Sequence, residues 1–261
     1  MRTIVKDSFQ NQNQMMNLER AKEIAGIAIL TLIEKFMNQP TIFLEEKHLH
    51  NEFDRIIKDL LLTEQLPTHS KTKDGHDFPI VMNEYTTISK FKKEDSFQMV
   101  YEDDGHPGSI DYVMLDENWI QKNTYLTCVN KDEDSRKLTR KLSENPYLVS
   151  VEFKFLHFGK EYKSYDELQN SKEIFKETKE SRLKKIKKEI LEDACKQLHE
   201  IVPSPNVVYF NSELPLPEEE TLGLLKEIKK TLDAKNLTLW YAQAGVSYRF
   251  KTEENFYHLK E

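Results

Sequence analysis

The chain has 261 residues, of which 38% are apolar and 32% charged, enough apolar material for one large globular domain. Its formal net charge of −7 gives no global sign of nucleic-acid binding, so such binding would need a local basic surface. No apolar run is long enough to span a membrane, and the N-terminus has no apolar signal core. Cys128 and Cys195 lack CxxC spacing, so we expect free thiols in a cytoplasmic protein.

The first part of the chain predicts a polar arm followed by two helices. Residues 1–17 are polar and are expected to form the arm. Apolar residues recur at helical spacing from Leu18 to about Asn38, and Gln39-Pro40 ends that helix. A second amphipathic helix is predicted over 43–62, and a polar loop over 63–78.

Strands dominate the middle of the chain. The predicted strands are Pro79–Ile88, Phe97–Tyr101, Ser109–Leu115 and Leu148–Leu156, the last being the strongest strand pattern in the protein. A turn is expected over 103–108. The segment 119–142 is rich in charge and mostly helical in pattern, and Asn145-Pro146 breaks it.

The last part of the chain alternates between helices and strands. A long helix is predicted over 171–201, a strand over 206–210, a helix over 216–233, and one strand or a bent pair over 237–250. No repeat or domain boundary is evident. The order predicts a single α/β domain over 1–261, with a central mixed β-sheet flanked by helices.

Two charged side chains interrupt the strongest strand. Because side chains alternate along a strand, Glu152 and Lys154 project from one face. Charges inside an apolar strand need a partner. If the strand that carries Asp111 pairs with this one, the carboxylates of Asp111 and Glu152 can converge. Such oxygen ligands suit Mg²⁺ or Mn²⁺, and Lys154 could orient a water molecule beside the metal.

The runs Gly108-Ser109-Ile110-Asp111 and Val151-Glu152-Phe153-Lys154 resemble the PD-(D/E)XK nuclease superfamily, whose fold is restriction-endonuclease-like. The resemblance implies a core over about 43–210, with 216–250 as an additional C-terminal helix and strand. It implies that Asp111 and Glu152 bind Mg²⁺ or Mn²⁺ and that Lys154 assists the nucleophilic water, so that Asp111, Glu152 and Lys154 are the catalytic residues.

Further acids in this superfamily lie on the preceding strand or the first helix. Glu84 fits the strand position and Glu52 the helix position, and we prefer Glu84 as the additional metal ligand. Asp193 lies in the helix that follows the Glu152 strand and has less support. Ile110 stands where many members have proline. The 41-residue separation of Asp111 and Glu152 requires 117–147 to loop out as an insertion.

Three functional hypotheses follow. The first is a metal-dependent phosphodiesterase acting on DNA, with RNA as the alternative substrate. The second is a catalytically degenerate member of the same fold that binds protein or nucleic acid. The third is an unrelated α/β interaction protein in which Glu152 and Lys154 are an exposed strand face. Basic clusters at 136–141 and 182–188 could contact nucleic acid, but a solvated helix face is the commoner reading.

Overall fold

The computed structural model describes residues 15–39, 42–43, 45–93, 99–100, 106–130, 145–156, 174–200, 202–212, 218–231, 237–243, 246–251 and 257–258. Most of the predicted arm, at 1–14, and the basic cluster at 136–141 lie outside these residues. The last residues of the predicted arm are described. Met16 is buried, and its main-chain N–H donates to Oε1 of Glu117 over 3.0 Å. This end of the arm is therefore anchored to the rest of the protein.

Six helices occur in the described residues: α1 Leu18–Asn38, α2 Glu46–Thr63, α3 Glu117–Lys122, α4 Tyr125–Val129, α5 Ile174–His199 and α6 Glu218–Thr231. Helix α1 begins where predicted because the Asn17 side chain accepts a hydrogen bond of 2.9 Å from the Arg20 N–H. Helix α4 ends at Val129, and the capping residue Asn130 has a left-handed φ of 55°.

The strands are β1 His69–Lys71, β2 Asp77–Pro79, β3 Val81–Lys93, β4 Met99–Val100, β5 His106–Leu115, β6 Tyr147–Leu156, β7 Pro205–Asn211, β8 Thr238–Gln243, β9 Val246–Lys251 and β10 Tyr257–His258. Within the described residues, eight of them form one sheet in the order β10-β9-β8-β7-β6-β5-β3-β4. Strands β1 and β2 form a separate antiparallel pair.

The main sheet mixes the two strand directions. Strands β3, β5 and β6 are antiparallel neighbours, whereas β6, β7 and β8 run parallel. Helix α5 connects β6 to β7 and helix α6 connects β7 to β8, since parallel neighbours require a crossover. A mixed sheet flanked by helices confirms the predicted fold class. The PD-(D/E)XK resemblance implies a core of a helix, three strands, a second helix and a further strand. The structure has this order in helix α2, strands β3, β5 and β6, helix α5 and strand β7.

Helices cover both faces of the sheet. On one face α1 and α2 pack their apolar stripes against side chains that include Tyr112, Val151 and Phe153. On the other face α5 and α6 pack against Val207 and Tyr209, among others. The alternation of side chains along β6 therefore directs Phe153 towards α2, and its neighbours Glu152 and Lys154 towards α5.

The structure corrects one sequence prediction and decides between the two alternatives of another. The polar loop over 63–78 was expected to lack strands, but β1 and β2 form there, with Phe78 buried in the core. A turn containing Gly75, at φ +86°, joins the two strands. At the C-terminus, the bent-pair alternative for 237–250 is confirmed, because β8 and β9 are antiparallel neighbours.

The segment between Asp111 and Glu152 loops out as expected. Strands β5 and β6 pair despite their separation in sequence, with Leu115 opposite Tyr147 and Tyr112 opposite Val151. The described parts of the segment 117–147 contain α3 and α4, and residues 131–144 lie outside the described chain.

The C-terminal end of α5 is tied to the strands through Glu200, the residue that directly follows the helix. This buried carboxylate accepts hydrogen bonds from the main-chain N–H groups of Ile88 and Ser89, at 2.7 and 2.8 Å, and from the Tyr147 hydroxyl, at 2.8 Å. One turn earlier, the Gln197 amide accepts from the Ser150 hydroxyl and donates to the Asn206 carbonyl over 3.0 Å. These contacts fix the position of α5 against β3, β6 and β7.

Candidate functional site

The candidate site lies where the pairing of β5 and β6 ends. Beyond Tyr112 and Val151, carboxylates take the place of main-chain partners. The Phe153 N–H donates to Oδ2 of Asp111 over 2.6 Å, and the Asp111 N–H donates to Oε2 of Glu152 over 3.2 Å. The two acids that the sequence singled out therefore lie together, each bonded to the main chain of the opposite strand.

Glu152 is buried, with 2% of its side chain exposed. Its Oε1 atom forms an ion pair with Nζ of Lys196 on α5, while Oε2 accepts from the Asp111 N–H. Both carboxylate oxygens consequently have protein partners. Lys196 was not a candidate from the sequence.

Lys196 and Lys154 are linked through Asp193. Lys196 Nζ lies 3.4 Å from Oδ1 of Asp193, and Lys154 Nζ lies 3.4 Å from Oδ2 of the same carboxylate. Together with Glu152, these residues form a chain of alternating charges that we call the α5 charge network: Glu152, Lys196, Asp193 and Lys154. Lys154 is its most open member, with 28% of its side chain exposed.

A second group of candidate metal ligands lies on the α2 side of Asp111. Glu46, His50 and Asp111 each offer an oxygen or nitrogen atom, and these atoms all lie within 4.8 Å of one another. His50 Nε2 is 3.7 Å from Oδ2 of Asp111; it is buried and makes no hydrogen bond to the described residues. A nitrogen atom in this position is suited to a metal ion, since a buried polar atom otherwise requires a hydrogen-bond partner.

The fold holds the two candidate ligands on α2, Glu46 and His50, in place. Glu46 and His50 are four residues apart on α2 and therefore share a face. Glu46 Oε2 accepts a hydrogen bond of 3.2 Å from the Phe155 N–H. The His50 ring packs against Tyr112 and Phe153, and the Tyr112 hydroxyl donates to the His50 carbonyl over 2.7 Å.

Burial makes the carboxylates costly to ionise. Burial raises the pKa of Asp111, although the Phe153 N–H and His50 act in the opposite direction. Burial likewise raises the pKa of Glu46, with Lys154 opposing the shift. In Glu152, burial raises the pKa while the Lys196 ammonium opposes it. A divalent cation beside these groups would favour their ionised forms.

The two lysines are held in their charged forms. Burial lowers the pKa of Lys154, but attraction to Asp193 and Glu46 outweighs burial, and the net pKa is raised. In Lys196, burial also lowers the pKa, and attraction to Glu152 and Asp193 again produces a net increase. Lys154 is therefore suited to donate hydrogen bonds as an ammonium rather than to remove a proton from water.

The additional acids proposed from the sequence lie elsewhere. Glu84 is exposed on β3 at a left-handed φ of 50°, and it is not a member of the Glu46, His50 and Asp111 group. Its role as a ligand stays a prediction. Glu52 is bonded to Arg55 and Lys35, and these cations lower its pKa to about 2. Asp193, the helix candidate, does reach Lys154.

Sequence reasoning missed Glu46, His50 and Lys196. Glu46 and His50 have a usable signal, since they are spaced four apart beside the apolar stripe that contains Leu49 and Phe53. The sequence signal for Lys196 is weaker. This lysine is three residues after Asp193 on a helix otherwise recognised by its apolar stripe, and such a pair is normally read as a solvated surface contact.

The described residues of the basic cluster at 182–188 favour a solvated helix face over a nucleic-acid contact. Lys187 pairs with Glu227 over 3.1 Å, and Lys188 lies 3.8 Å from Glu192.

Both cysteines are free thiols, and burial raises the pKa of Cys128 to about 12, which does not suit a nucleophile.

Comparisons with protein-family models, with curated proteins and with solved structures give no match for this chain. The resemblance to the PD-(D/E)XK superfamily consequently depends on the quoted residues and on the order of the core elements. Within the described residues, no helix has both the length and the apolar character needed to cross a bilayer.

Proposed function

We propose that this protein is a divalent-metal-dependent nuclease of the PD-(D/E)XK type that hydrolyses phosphodiester bonds in DNA, with RNA as the alternative substrate. Of the three residues that the resemblance implies, Asp111 and Lys154 are catalytic and Glu152 positions Asp111; Mg²⁺ or Mn²⁺ is the cofactor, and the cytoplasm is the compartment. The observation that carries the proposal is the meeting of Asp111 and Glu152 where β5 and β6 separate, with Lys154 on the same face as Glu152.

The donor set fits a divalent cation. Asp111 and Glu46 supply carboxylate oxygens, and His50 supplies a buried nitrogen that makes no hydrogen bond to the part of the chain that the structure describes. Oxygen ligands with one imidazole suit Mn²⁺, and the carboxylates also suit Mg²⁺. Bound there, the ion would neutralise charge on a phosphate and lower the pKa of a coordinated water. In this arrangement Asp111, Glu46 and His50 hold the metal, and Glu152 fixes Asp111 through its N–H.

Lys154 has the role of orienting the attacking water. The Lys154 side chain is partly exposed and its ammonium lies beside the Asp193 carboxylate, whereas the Lys196 side chain is buried. A fixed positive charge in this position orients an attacking water by donating a hydrogen bond and stabilises negative charge that develops on the phosphate. Asp193 and Glu46 keep this charge in place.

Cleavage assays test the proposal directly. Purified protein is incubated with supercoiled plasmid, single-stranded DNA and single-stranded RNA in Mg²⁺, in Mn²⁺ and in EDTA. We expect metal-dependent cleavage that Asp111→Asn and Lys154→Met reduce by at least about 100-fold, in line with the loss of a principal electrostatic contact. Lys58→Met is the matched control, because Lys58 is exposed and pairs with Asp54 one turn away on α2. Cleavage that both site variants retain would exclude this site.

One observation favours a binding module as the second candidate. Both oxygens of Glu152 are bonded within the protein, so the acid of the expected catalytic pair is not open to an ion as the chain stands. A fold that has lost catalysis could keep such a neutralised cluster. Calorimetric titration with Mn²⁺ and electrophoretic mobility shifts with DNA distinguish the two. Nucleic-acid binding without metal binding or cleavage favours the module.

A further inference from the structure

We infer that Lys196 occupies the position of a second cation in the site, so that the protein binds a single divalent ion on the Glu46, His50 and Asp111 side. The inference rests on the metal site of the proposed function and specifies how many ions that site accepts. It begins from the contact between Lys196 Nζ and Oε1 of Glu152, because the ammonium lies against the oxygen that a second ion would require.

The α5 charge network is balanced without any ion. Its two carboxylates, Glu152 and Asp193, are matched by two ammonium groups, Lys154 and Lys196, through three contacts of alternating sign. All four side chains are largely buried, and Glu152 and Asp193 are almost completely so. A divalent ion entering this network would have no net negative charge to bind, and it would have to displace Lys196.

The α2 side of the site, in contrast, carries an excess of negative charge. Asp111 and Glu46 contribute two carboxylates, and the third donor, His50, is a neutral ligand in any metal complex. With the four members of the α5 charge network, the whole site carries two more carboxylates than ammonium groups. One divalent cation neutralises that excess, and a second would leave a buried net positive charge, which is unfavourable.

Removing the charge of Lys196 should therefore create a new cation position. In Lys196→Met the side chain keeps its length, but Glu152 and Asp193 lose their shared counter-ion. Mn²⁺ can then bind the freed oxygens of these two carboxylates. Lys196→Arg keeps the charge and is expected to retain the single ion. Lys188→Met makes the same chemical change on the same helix outside the site, where Lys188 lies 3.8 Å from Glu192.

Ion counting tests the inference without depending on cleavage. Mn²⁺ stoichiometry is measured by calorimetric titration and by electron paramagnetic resonance of free Mn²⁺. We expect one ion in the wild type, in Lys196→Arg and in Lys188→Met, and two ions in Lys196→Met. Thermal unfolding provides the second readout. Mn²⁺ should raise the Tm of Lys196→Met by more than that of the wild type, since the ion replaces a missing counter-charge.

Two results would overturn the inference: two ions in the wild-type protein, or a single ion in folded Lys196→Met. If Lys196→Met folds only when Mn²⁺ is present, the ion has taken over the role of the ammonium and the inference is supported. Lys196→Gln provides a milder change in which the side chain can still donate to Glu152, and it must also gain an ion. Absence of cleavage with these ion counts intact would reject the nuclease proposal alone.

Discussion

The Phe153 main-chain N–H and the Asp111 carboxylate are joined by a hydrogen bond of 2.6 Å across the gap between β5 and β6. Asp111 is thereby oriented by the backbone of the strand that carries Glu152 and Lys154. A shift of β6 would move Glu152 and Lys154 directly, and it would move the Asp111 carboxylate through this hydrogen bond. The site therefore depends on strand pairing as well as on side-chain identity.

This hydrogen bond separates two substitutions at Asp111. Asp111→Asn keeps an oxygen acceptor for the Phe153 N–H, whereas Asp111→Ala leaves that N–H without its partner and should cost about 1–3 kcal/mol more in unfolding free energy. Both variants should lose metal-dependent cleavage. Urea unfolding measures the difference. Equal stability of the two variants would show that the hydrogen bond has no role in holding the strands.

His50 and His48 form a matched pair on α2. We expect His50→Ala to weaken Mn²⁺ binding at least about tenfold, because a ligand that contacts the ion is removed. His48→Ala should leave the affinity nearly unchanged, since His48 is not a member of the Glu46, His50 and Asp111 group. Calorimetric titration of both variants provides the comparison. An equal loss in the two would remove His50 from the ligand set.

Glu46 and Glu84 are competing candidates for the additional acidic ligand. Glu46→Gln should weaken Mn²⁺ binding at least about tenfold by removing a charged oxygen that suits a hard cation. Glu84→Gln should change it less than about twofold, because Glu84 is exposed and its field is screened by solvent. The measurement is again the dissociation constant. A larger effect at Glu84 would restore the ligand predicted from the sequence.

Metal stabilisation should depend on pH. Because burial raises the pKa values of Asp111 and Glu46, the stability that these groups contribute is present below their unfolded pKa values and is lost as pH rises through the folded ones. An ion that binds the ionised carboxylates offsets this loss. The Tm increase on adding Mn²⁺ should therefore be greater at about pH 7.5 than at about pH 5, where protons compete for the ligands.

Differential scanning fluorimetry at both pH values measures this effect. Asp111→Asn removes one of the two carboxylate ligands and should reduce the pH dependence of the Tm increase. A Tm increase of the same size at both pH values would mean that the ion binds elsewhere on the protein.

Glu200 should be a stability determinant rather than a catalytic residue. Glu200→Ala leaves the Ile88 and Ser89 N–H groups and the Tyr147 hydroxyl without their acceptor, and we expect a loss of about 3–5 kcal/mol. Asp59→Ala, which removes an exposed ion pair with Arg55, should cost less than about 1 kcal/mol. Urea unfolding compares them. A small loss at Glu200 would show that water replaces its contacts.

The sequence predicted the parts of the site that lie in strands. Periodicity placed Glu152 and Lys154 on one face of β6, and the structure has both directed towards α5. The long helix expected over 171–201 is described as α5 over Ile174–His199. These features are local, because strand alternation and helix spacing can be read from neighbouring residues.

The side chains that the helices contribute to the site could not be predicted in the same way. The contact of Lys196 with Glu152 joins residues 44 apart, and that of Glu46 with the Phe155 N–H joins residues 109 apart. Both depend on how a helix is rotated against the sheet. In a single sequence, Lys196 cannot be distinguished from the many lysines of a charged helix surface, and Glu46 is one of several acids on α2.

Four polar side chains at the C-terminal end of α5 tie the helix to the sheet. Asp193, Lys196, Gln197 and Glu200 project from fixed angles around two turns of one helix, so a slip of a single residue along its axis would break them all. Local opening of the C-terminal half of α5 would then disrupt the α5 charge network in the same event. Amide hydrogen exchange at Ile88 and Ser89 would report that event from strand β3, outside the site itself.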